Sequence, residues 1–100
     1  MPQAILLLII SPQAIAQEFN DDLLIFVNGR LAFFSYPIRY HSPQAKLNNT
    51  EEKVMGFQAM TCFELTLSPQ EASDVINYLT NKSYRQTLSF KQLIFQDINP

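Results

Sequence analysis

Charge is scarce in this chain. Lys, Arg, Asp and Glu make up 16% of its 100 residues, where soluble chains average about 25%. The net charge is -2, and the seven basic residues (Arg30, Arg39, Lys46, Lys53, Lys82, Arg85 and Lys91) are scattered. No basic stripe forms, so no nucleic-acid partner is expected. Cys62 is the only cysteine, which excludes an intrachain disulfide framework and a cysteine-rich zinc site. Two glycines exclude collagen-like and glycine-linker chains. The apolar run Ala4 to Ile10 is seven residues long, far short of the roughly 20 needed to span a bilayer as a helix. No membrane span is expected.

What is abundant is apolar and aromatic. The hydrophobic fraction is 47%, with eight Phe, four Tyr and three Met. That excludes a disordered chain and suits one domain over residues 1–100 with a single core. Low charge with many aromatics and methionines is also the bias of interface cores. A well-packed monomer coated with neutral amides is the plainer alternative.

Residues 4–10, AILLLII, allow two readings. One is a secretory signal over residues 1–16, with Ala14-Ile15-Ala16 as the cleavage site, giving an exported small α+β domain. The other is a buried strand followed by a short helix, with Ser11 as N-cap and Pro12 in its first turn. Met1-Pro2-Gln3 carries no basic residue, which favours the strand.

Further along, LLIFV-Asn28-Gly29-RLAFF has the form of a type I′ hairpin. Two-residue pairing puts Leu23, Ile25, Val27, Ala32 and Phe34 on one face. Leu24, Phe26, Leu31 and Phe33 fall on the other. Both faces are apolar, and one helix layer covers only one. The expectation is that Phe26, Leu31 and Phe33 meet another chain, and that Phe33→Glu disrupts assembly while sparing the fold.

Pro37 is expected to end that hairpin. Residues 37–53 then read as a loop, with one helical turn begun by Ser42-Pro43, and as a candidate contact segment. From Phe57 to Leu67 the pattern has period two. Phe57, Ala59, Thr61, Phe63, Leu65 and Leu67 share one face of a long strand. Ser68-Pro69-Gln70-Glu71 is a complete capping box, and Ala72, Val75, Ile76 and Leu79 form the stripe of the helix it opens. A last strand spans about 87–98. Its parity shift at Lys91-Gln92 suggests a β-bulge. The expected fold is α+β: a mainly antiparallel sheet in β-α-β-β-β-α-β order, with one or two helices on one face.

Chemistry is thin. His41 and Cys62 are the only histidine and thiol. A Cys–His pair needs a fold that joins them, and no family signature supports one. Cys62 reads as a small hydrophobe in mid-strand. Asp21-Asp22 and Glu51-Glu52 are adjacent pairs, which do not face each other on a regular element. Metal motifs, phosphate loops and nucleophile elbows are missing. No catalytic, cofactor or metal role is therefore assigned. The expectation is a non-enzymatic structural or protein-interaction module. It would be a small subunit of a larger assembly, such as a virion or envelope complex, with a protein partner or self-association.

Overall fold

The computed structural model describes residues 4–41 and 56–95. Strand β1 is Ala4–Pro12 and helix α1 is Ala16–Val27, joined by a 3-10 turn at Gln13–Ile15. Strand β2, Phe33–Tyr40, is followed in chain order by β3, Gln58–Leu67. Helix α2, Pro69–Thr80, leads through a 3-10 turn at Arg85–Thr87 to β4, Ser89–Phe95. The fold is α+β, with four strands in the order β2-β3-β1-β4 and every neighbouring pair antiparallel. Each helix links two strands separated by a third, the split β-α-β arrangement of ferredoxin-like folds.

β1 alternates because one of its faces lies under the helices. Ile5, Leu7, Ile9 and Ser11 are buried, while the residues between them are half-buried. β3 supplies Phe63, Leu65 and Leu67 to the same layer. Phe19, Leu23 and Val27 of α1 recur at i, i+4, i+8 and close over the sheet with Ala72, Val75 and Leu79 of α2. Phe19 is the keystone: its ring meets Phe63 edge-on at 4.6 Å and Tyr84 at 6.0 Å.

The capping box forms as expected. The Glu71 amide donates to Ser68 Oγ at 3.2 Å, and the Ser68 amide donates to Glu71 Oε1 at 2.8 Å. The period-two strand also forms, ending at Leu67.

Four expectations are corrected. Leu23 to Val27 is helix, so the hairpin at Asn28-Gly29 does not exist. The turn chemistry is nonetheless used. Asn28 (φ 47°) and Gly29 (φ 74°) are both left-handed, and the Arg30 amide donates to the Val27 carbonyl at 2.8 Å. The chain enters this turn from a helix because burying Phe19, Leu23 and Val27 together requires helical spacing. The Asn28 amide, bonded to the Leu24 carbonyl at 3.0 Å, closes the last turn. The sheet does hold two consecutive antiparallel strands, but they are β2 and β3. The sheet therefore has one strand fewer than expected.

Second, Ser11 caps nothing. It is the last inward residue of β1, fully buried, and its hydroxyl has no partner among the described residues. Third, Pro37 lies within β2, paired with Thr61. β2 is an edge strand, where a proline whose missing N–H would point away from the ladder costs no bond. Fourth, β4 pairs with β1 without interruption from Ala4↔Phe95 to Ile10↔Ser89, so there is no bulge. Its apolar residues change parity because both faces of the sheet are apolar. The expected turn at Ser42-Pro43, the rest of the loop to residue 53, and Glu51-Glu52 lie outside the described residues.

Candidate functional site

Both helices cover one face of the sheet. On the other, the strand registers define which side chains stand together. β2 contributes Phe34, Tyr36, Ile38 and Tyr40. β3 contributes Gln58, Met60, Cys62, Glu64 and Thr66. β1 adds Leu6, Leu8 and Ile10 between its ends, and β4 adds Ser89, Lys91, Leu93 and Phe95. Phe34 is 68% exposed, Leu93 56%, Tyr40 45% and Tyr36 40%. Leu6, Leu8, Ile10, Ile38 and Met60 are half-buried, since neighbours on a sheet face shield one another's flanks.

Polar features on this open face are few. Tyr36 donates to Glu64 Oε1 at 3.1 Å. The Cys62 sulfur and then the Glu64 carboxylate raise the Tyr36 phenol well above its ordinary range, because each disfavours a phenolate beside it. Among the described residues, Glu64 and Lys91 are the only charged side chains on the face. They sit in one row on either side of Leu8.

The three residues expected at an interface lie elsewhere. Phe26 is in the last turn of α1, with its ring 4.6 Å from that of Tyr78. Leu31 follows α1, and both residues line a cleft with Arg30, Glu71 and Asp74. Phe33 begins β2 on the helix-covered face, 6.3 Å from Phe63 ring to ring. All three pack against the core. The structure brings Phe26 and Leu31 together but separates both from any shared strand face with Phe33.

The sequence grouping failed because it took period two through a segment that is helical. The open face could have been found from β4, where Leu93 and Phe95 share one parity and Phe90 the other.

His41 and Cys62 are not brought together. Cys62 is buried on the open face opposite Tyr36, whereas the His41 ring lies 5.6 Å from Phe57. Tyr36 and His41 are five positions apart, about 17 Å along a strand. Asp21 accepts from Gln17 at 2.9 Å. Asp22 accepts from Tyr84 at 2.5 Å and pairs with Lys82 at 3.8 Å. The Asp22 contacts tie α1 to the segment that follows α2. A polar groove beside α1 is lined by Gln17, Asn20, Ser35 and Thr61. Among the described residues no cluster has the composition to hold a metal ion, and no helix is long and apolar enough to cross a membrane. Compared with known proteins, the chain matches no family model, and no curated protein is similar to it.

Proposed function

We propose that this chain is a non-enzymatic protein-interaction module, a small subunit of a larger protein assembly, and that it docks through the open face of its sheet. The observation that carries this reading is the makeup of that face. A four-stranded sheet presents aromatic and aliphatic side chains on the side its helices leave bare, with one acid and one base among them. Four strands about 4.8 Å apart and seven or so residues long span roughly 500 Å² in projection, the size of the largest patch on a typical monomer, which is often functional. Depletion of charge and enrichment in aromatics and Met match the cores of protein interfaces.

The test is native size in the extract of the cells that make the protein. The wild-type chain is expected in a particle larger than its own 11.5 kDa. Phe34→Glu combined with Leu93→Glu should leave the circular dichroism spectrum unchanged and return the chain to its own mass. A wild-type chain that travels alone in that extract overturns the proposal.

A further inference from the structure

We infer that the occupant of the open face is a second copy of this chain, packed sheet against sheet about a two-fold axis that runs along β1. This rests on the reading of that face as a docking surface. The placement of charge on the face selects this occupant. Glu64 and Lys91 flank Leu8 in a single row, Glu64 on β3 and Lys91 on β4. Rotation about an axis along β1 exchanges the two flanks. Lys91 of the copy then stands over Glu64, and Glu64 of the copy over Lys91, giving two opposite-charge contacts.

A two-fold axis across the strands through the same row sets Glu64 over Glu64 and Lys91 over Lys91, which is repulsive. The sheet is therefore self-complementary in one orientation and not in the other. That orientation is the near-aligned packing of sandwiches, with sheets about 10 Å apart. The same patch must repeat on both partners in a closed dimer, and this one does.

Along the axis, Leu6, Leu8 and Ile10 of each copy face one another and form the dry centre. Leu93 of β4 falls over the β3 side of the copy, near its Thr66. About that axis β3, β1 and β4 of each copy overlap and β2 stays outside, an overlap of roughly 350 Å² in projection that belongs with small, weak interfaces rather than with the 800 Å² or so per partner of a standard one.

The purified full chain is the material for the test, with mass measured by sedimentation equilibrium up to about 100 µM. The expected mass is twice 11.5 kDa. Lys91→Glu should weaken the dimer about tenfold or more. Exchanging the charges, Glu64→Lys with Lys91→Glu, should restore it, an outcome that mere loss of folding cannot produce. Wild type at monomer mass throughout overturns the inference, as do larger open-ended species and a dimer indifferent to both charge variants.

The two proposals fail separately. If the purified chain is monomeric while Phe34→Glu with Leu93→Glu still dissolves the particle in the extract, only the dimer is lost, and the docking surface belongs to a different protein.

Discussion

Ser11 and Tyr84 show what burial does to a hydroxyl. Ser11 is fully enclosed and its Oγ finds no partner among the described residues, a cost of about 1–3 kcal/mol for a desolvated polar group. Ser11→Ala removes that cost and is expected to raise stability by up to about 1 kcal/mol, read as a shift in urea midpoint at constant slope. A loss of stability would show that the hydroxyl is satisfied. Tyr84 is the opposite case, since its buried phenol donates to Asp22. Burial first, and the Asp22 carboxylate second, raise its pKa above the ordinary range. A raised acid favours the folded state while protonated. Its contribution is therefore complete below the unfolded value of about 10 and is lost as pH climbs beyond that toward the folded one. Melting temperature is expected to fall above pH 10 or so, and to fall less steeply in Tyr84→Phe. His41→Ala should leave association intact, because its ring lies against Phe57 beyond the end of β2; sedimentation of the variant is the check.

At the scale of single elements, α2 offers a ranking. Ser68→Ala breaks the N-cap and should cost about 1 kcal/mol, whereas Leu79→Ala empties a core site and should cost about 2–5 kcal/mol. Chemical denaturation that ranks them the other way would contradict the packing of α2. Gly29→Ala meets no atom within 4 Å, so its cost is the backbone's alone, about 1 kcal/mol for a left-handed residue. α2 and β3 were legible in the sequence because each carries a signal with one structural meaning: a reciprocal capping box, and a period-two run that ends in the clean alternation Phe63-Glu64-Leu65-Thr66-Leu67. α1 was not legible. Its N-terminus has no side-chain cap, and LLIFV is apolar at every position, so it satisfies period two and period 3.6 alike. The Asn-Gly pair stops a helix with the same positive φ angles that turn a hairpin. Which of the two occurs is decided by contacts of Phe19 with Phe63 and Tyr84, both distant in sequence. β1 was read as a strand, but its central place could not be, since that depends on partners 50 to 90 residues away.

Among the described residues the sheet is asymmetric, with one face sealed by the helices and the other open. Adjacent phenylalanines test that division. Phe33 stands on the sealed side against Phe63. Phe33→Glu should therefore destabilise the fold itself, by about 2–4 kcal/mol, rather than spare it. Phe34, one residue on, is on the open side. Phe34→Glu should leave the melting temperature of the isolated chain within the small range typical of surface substitutions. Thermal scans of the two variants check the division directly. The scarcity of charge and the abundance of aromatics were legible in the sequence; the surface was not, because the segment read as a two-faced hairpin is helix as far as Val27 and assigning faces requires the strand registers.

The position of β1 sets a timetable for the newborn chain. Of the four described strands it is the first to be made, yet both of its partners come late: Ile5 pairs with Leu67 and with Ile94. At roughly 5–20 residues per second, the stretch AILLLII waits several seconds for β3 and still longer for β4. In that interval it is a bare apolar strand with two unpaired edges. Synthesis of this small protein therefore passes through a stage open to capture by a chaperone or to aggregation, and slowing translation before residue 58 should lengthen it.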